Sequence, residues 1–144
     1  MQLNEIKQWF RTYMDGAVAA SMREKGLAYR VIWGISVAHL QEMATEIKDA
    51  YKDSGEELAE LARLLWQEDV RECKLLATLV MPHDMTADEA LQWMNTLTTR
   101  EMAEWLAFNL LRHIPSARTV AEKALKGDDE LSKICADCIM KRIS

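Results

Sequence analysis

A chain of 144 residues is long enough for one domain with a real core and short for two; with Leu, Ala, Glu, Lys and Met abundant and Gly and Pro scarce, it favours helices over strands. Its formal charge of −5 excludes whole-molecule attraction to phosphate, so any nucleic-acid surface must be local. No apolar run approaches the roughly 18 residues a membrane span needs, the start lacks a basic region followed by an apolar one, and three cysteines describe no disulfide framework; a soluble, cytoplasmic, all-α protein is expected.

Residues 2–14 carry Leu3, Ile6, Phe10 and Tyr13 at spacings of three and four, the period of a helix with one apolar face. A short helix over 16–25 follows, ended by Gly26. The stretch GLAYRVIWGIS (26–36) is rich in aromatic and β-branched residues with glycines near both ends, and reads as an ordered, partly buried connector. From Ser36 to about Asp53 the helical spacing returns through Val37, Leu40, Met43, Ala44 and Ile47. Between Arg11 and Arg30 the cations Arg11, Arg23, Lys25 and Arg30 face only Asp15 and Glu24, which makes this stretch either a local basic surface or an ordinary solvated one.

Beyond residue 53 the pattern repeats. Ser54, Thr86 and Ser116, 32 and 30 residues apart, read as helix N-caps. The first two have Glu57 and Glu89 three residues on, as in capping boxes. Apolar residues follow each cap at matching positions: Leu58, Ala59 and Ala62; Ala90, Leu91 and Met94; Val120, Ala121 and Ala124. A second helix follows each first one, over about 69–81, 98–113 and 128–143, with Pro82, Pro115 and Gly127 at the breaks. The expectation is one domain over 1–144, with N-terminal helices over 2–53 and helix pairs over 54–81, 86–113 and 116–143. Recurring pairs of this length belong to α-α superhelices, the ARM- and HEAT-like solenoids, in which stacking supplies the core. An irregular helical bundle is the alternative.

Three segments carry a resemblance to a known family. They are YRVIWGISVAHLQEMATEI (29–47), LARLLWQEDVRECKLLATLVMP (61–82) with Leu65-Trp66 closing one helix and Arg71-Glu72 on the next, and MTADEALQWMNTLTTREMAEWLAFNLL (85–111). They resemble the AlkD-type DNA alkylation repair family, and the likeness covers most of the chain, more loosely over the last 30 residues. The resemblance implies a HEAT-like solenoid holding duplex DNA on its concave side, and N-glycosylase chemistry that releases positively charged N3- or N7-alkylated purines. An alkylated purine is already a good leaving group, so such a protein mainly has to favour positive charge developing on the sugar and position a water, which one carboxylate can do.

The family's motif is an Asp four residues after a Trp, on the helix matching 98–113, assisted by a second Trp from a later repeat. Laid without gaps, the Asp position falls on Glu104 and the Trp position on Arg100. Glu104 keeps the carboxylate class and is the candidate catalytic residue. Arg100 is no platform for a cation and is spaced to pair with Glu104. No Trp occurs in 115–144. Helix geometry puts Met102, Ala103, Leu106 and Leu110 on the packed side and Glu104 away from it, which also suits a plain solvated acid.

The remaining polar groups carry weaker signals. Cys135 and Cys138 have CxxC spacing but stand inside an expected helix with no second CxxC. His83, Asp84, Asp88 and Glu89 read as a metal corner or, more simply, as a polar turn capping a helix; His113 and His39 read as structural. No metal or cofactor is called for. Two readings of function follow. The first is a DNA-binding N-glycosylase using Glu104, with DNA contacts from Arg23, Lys25, Arg30, Arg71, Lys74 and Arg100. The second is a non-catalytic HEAT-like module for a protein or DNA partner.

Overall fold

In the computed structural model, which describes residues 2–24, 29 and 31–143, the chain is all-helical. The helices are α1 (Leu3–Tyr13), α2 (Gly16–Glu24), α3 (Val37–Ala50), α4 (Gly55–Gln67), α5 (Arg71–Val80), α6 (Ala87–Asn95), α7 (Arg100–Asn109), α8 (Ala117–Lys126) and α9 (Glu130–Ile143). A short 3₁₀ turn, Leu111–His113, follows α7. None of these helices is long and apolar enough to cross a membrane. The expected end of the second helix at Gly26 lies outside the described residues.

The helices gather into two compact units, Met1–Met81 and Pro82–Ser144. In the first, α5 is the central element. A helix is buried on all sides only when neighbours cover every face, and here every residue from Arg71 to Thr78 is buried. α3 and α4 pack directly against α5. The connector ahead of α3 is extended and tied to the start of α5 by two backbone hydrogen bonds, Val31 N to Asp69 O and Arg71 N to Val31 O, both 3.1 Å.

One carboxylate fastens that connector. Glu72, with no exposed surface, accepts from the backbone N–H groups of Trp33 at 2.8 Å, Gly34 at 3.2 Å and Ile35 at 3.4 Å. The Arg71 guanidinium donates to the same carboxylate at 2.9 Å. A buried charge is tolerated when its lone pairs are filled in this way, and three successive amides turned toward one anion form a ready-made cradle. The turn that presents them needs Gly34, whose φ of +75° lies in the left-handed region and whose position would put a Cβ only 2.2 Å from the Asp15 carbonyl oxygen.

In the second unit α9 packs against both α7 and α8, and α6 packs against α8 and α9. The core runs through Met94, Met102, Ala103, Leu106, Val120, Ala121, Cys135 and Ile139, all 0–1% exposed. Thr86 and Thr99 cap α6 and α7, accepting from the Glu89 and Met102 amides at 3.2 and 3.1 Å, and Ser36 caps α3 in the same manner. Ser54 and Ser116, expected as caps, make no side-chain cap bond; each contributes its backbone carbonyl to the first helical turn instead. The helix expected to run to residue 113 stops at Asn109, because Leu110 leaves helical geometry (φ −127°, ψ −63°).

Glu72→Ala removes the anion that three backbone amides and Arg71 share inside the unit. Truncating one partner of a buried pair costs about 3–5 kcal/mol, so chemical denaturation is expected to show a loss of that order. Gly34→Ala is expected to destabilise as well, through the clash with the Asp15 carbonyl, whereas Lys123→Gln on the exposed end of α8 should leave the midpoint unchanged.

Candidate functional site

α7 begins where Thr99 caps it, and its apolar residues at Met102, Ala103 and Leu106 turn inward. Stepping by four along the other side gives Arg100, Glu104 and Phe108, all exposed, and then Arg112 in the following turn. Glu104, the candidate catalytic carboxylate, has a side chain 52% exposed; its Oε1 accepts from Nε of Arg100, itself 73% exposed, at 3.0 Å. The partnership anticipated from the four-residue spacing therefore forms, on a wet surface where such pairs are weak and screened by salt.

α9 contributes the rest of this face. Lys141 pairs with Asp137 at 3.0 Å, and Arg142 lies 4.9 Å from the Phe108 ring centre, with Arg112 at 4.6 Å. Arg112 also donates from Nε to the Phe108 carbonyl at 2.6 Å. Cys138 stands in the same neighbourhood. Its thiol is pushed up first by desolvation and then by the Glu104 and Asp137 carboxylates, against the smaller opposing pull of Lys141 and Arg100. The strip thus gathers four cations, an exposed aromatic ring and two acids, Glu104 and Asp137.

The cations expected to touch DNA are distributed unevenly. Arg100 belongs to the strip just described. Arg23 is exposed on α2 in the first unit and donates to the Tyr29 carbonyl at 3.2 Å. Lys25 and Arg30 lie outside the described residues. Arg71 and Lys74 are only 4% and 8% exposed. Arg71 serves the Glu72 carboxylate; Lys74 donates to the Trp66 carbonyl at 2.6 Å, filling an acceptor in the last turn of α4, and lies 4.8 Å from the Trp66 ring centre. Burial lowers the Lys74 pKa despite the opposing effect of Asp69. Phe108, Arg112 and Arg142 had not been singled out from sequence; the four-residue step from Phe108 to Arg112 was a visible signal, whereas the approach of Arg142 from another helix was not.

Burial raises the pKa of all three thiols. Desolvation pushes Cys73 up to about 12 and raises Cys135 further still, and a nucleophilic or metal-binding cysteine needs the opposite shift. Among the described residues no group of three His, Cys, Asp or Glu side chains is placed to hold a metal ion. His83 instead stacks on His113, with ring centres 4.7 Å apart and planes 9° from parallel. In the first unit an open cleft of about 510 Å³, lined by Leu3, Tyr51, Glu57, Glu60, Leu61 and Leu64 among others, is acidic enough to raise the Tyr51 pKa, after desolvation, through Glu57 and Glu5. It has the wrong sign for phosphate.

An all-α chain of packed amphipathic helices, with a local strip of arginines on a molecule that is acidic overall, is the class of protein described so far. Its family follows from sequence comparison: the family described as DNA alkylation repair enzyme matches residues 6–141, and the chain belongs to that family. No match was found among curated proteins or among solved structures.

The stacked histidines generate a pH prediction. The pKa of His113 is lowered from its ordinary 6.5 by desolvation first, then by the charge of Arg112 and by His83. A depressed pKa means that the unfolded chain takes up the proton more readily, so the contribution of His113 is present above pH 6.5 and is lost as the pH falls through the lower folded value. Denaturant midpoints measured from pH 7.5 down to about 5 should decline over that window, and His113→Gln should flatten the decline.

Proposed function

We propose that the protein binds duplex DNA carrying alkylated purines through the α7–α9 face of its second unit, and that it hydrolyses the N-glycosidic bond of the cationic nucleotide, the base leaving neutral with the bonding electrons as water adds to the sugar carbon. The observation that carries this reading is the exposed Glu104 carboxylate, paired with Arg100 on the face that also carries Arg112, Lys141 and Arg142, in a chain of the DNA alkylation repair family. The cations suit phosphates on either side of a lesion, and the carboxylate suits the positive charge that develops on the sugar as the base departs.

The ion pair does not exclude that role. An exposed pair of this kind contributes roughly 0–1 kcal/mol, so Arg100 can turn to a phosphate and release Glu104 at little cost. Glu is one methylene longer than Asp and reaches correspondingly further from the helix. Arg23 on the first unit is a further candidate DNA contact under this reading, while Arg71 and Lys74 are spent on holding α5 in place.

The Arg100–Glu104 pair itself favours a second reading, in which the face binds DNA or a protein without excision. Arg100 stands where the family motif has an indole, and a guanidinium repels a cationic base. The two readings separate on one substitution. Incubating the wild-type protein with methylated duplex DNA is expected to release N3- or N7-methylpurine. Glu104→Gln, which keeps size and exposure but removes the charge, is expected to slow release by about a hundredfold or more while leaving DNA binding intact. No release by the wild type, together with measurable duplex binding, would establish the second reading instead.

A further inference from the structure

Of the large apolar side chains left exposed among the described residues, Phe108 is the one aromatic, at 45%. An exposed ring at that position is unneeded for packing, since Met102, Ala103, Leu106 and Ala107 already fill the inner side of α7. What the ring does hold is charge. The guanidinium carbons of Arg112 and Arg142 lie 4.6 and 4.9 Å from its centre, within the range of a cation–π contact. Arg112 is further fixed by its Nε bond to the Phe108 carbonyl at 2.6 Å.

Two like charges gathered on one ring repel each other, and an anion placed against both would relieve the repulsion. The other two cations of the strip are already matched, Arg100 with Glu104 and Lys141 with Asp137. Arg112 and Arg142 have no carboxylate partner among the described residues. A stacked guanidinium keeps its N–H edge available in the ring's margin, and that planar fork fits phosphate oxygens in pairs. The site is open rather than enclosed, which suits a chain of phosphates passing over it better than a small free ion.

We infer that Arg112 and Arg142, held in place by Phe108, form a docking site for a phosphodiester of the DNA backbone. The inference rests on the DNA-binding reading above and adds to it the residues that position the duplex, independent of any excision by Glu104. Phe108 is here a positioning residue, and the two arginines make the contact.

Salt dependence separates these roles. The logarithm of the association constant falls with the logarithm of salt concentration by about 0.9 for each phosphate contact. Binding of the full-length protein to unmodified duplex DNA is measured across a salt series for wild type, Arg112→Gln, Arg142→Gln, the double variant and Phe108→Ala, with Lys123→Gln as a surface control. Each arginine variant is expected to reduce the slope by about one and the double variant by about two. Phe108→Ala should weaken binding about fivefold, the worth of one cation–π contact, with little change of slope, because the charges remain. Far-UV circular dichroism of each variant excludes unfolding as the cause. A double variant with the wild-type slope and affinity would overturn the inference while leaving DNA binding itself standing. A wild type that fails to bind duplex DNA at low salt would remove both. Displacement of DNA by inorganic phosphate, at ionic strength matched with chloride, would assign the site to a free anion instead.

Discussion

A helix of nine to fourteen residues with one apolar stripe is barely stable alone in water, and it persists here because a neighbour covers that stripe. Everything else in the molecule follows from which faces are covered and which are left wet. In the first unit α5 is enclosed by α3, α4 and the extended connector, so its charged residues have to be satisfied internally. In the second unit α7 packs its apolar side against α9, and its other side carries Arg100, Glu104 and Phe108 into solvent.

That difference decides what similar residues do. Arg71, Glu72 and Lys74 are charged residues on a helix, as Arg100 and Glu104 are, but the first set is sealed inside and serves the fold. Glu72 gathers three amides and a guanidinium; Lys74 closes the end of α4. Glu104 and Arg100 pair on the exposed surface, where such a contact is weak. A surface that is to meet a polyanion needs charge of the second kind, held near its place but not spent, and the acidic balance of the whole chain confines such a surface to a strip.

Much of the helical organisation was legible in the sequence because it is local. The three-and-four spacing of Leu3, Ile6 and Phe10, the Thr86 cap with Glu89 three residues on, and the proline after α5 each act within a turn or two of chain. The failures are equally physical. Ser54 and Ser116 have the right residue type for a cap, but their backbones enter the helix outside the extended conformation that the capping Ser36, Thr86 and Thr99 adopt, and their side chains make no cap bond. Leu110 belongs to the apolar pattern of α7 and stays buried while the helix ends before it. Periodicity records burial more faithfully than it records hydrogen bonding.

The candidate site was legible only in part, for the same reason. The Arg100–Glu104 pair is an i, i+4 contact and could be read directly. The enclosure of Arg71 and Lys74 depends on residues 31–36, tens of positions away, and on the way α4 folds back on α5, and the meeting of Arg142 with Phe108 depends on α9 packing on α7. Sequence spacing carries no information on such encounters. The most direct test of the account is to map backbone amide NMR shifts of the full-length protein as a methylated duplex is added. Shifts concentrated in 100–113 and 137–143 are the predicted outcome. Shifts confined to the acidic cleft around Tyr51, or none at DNA concentrations that saturate binding, would contradict it.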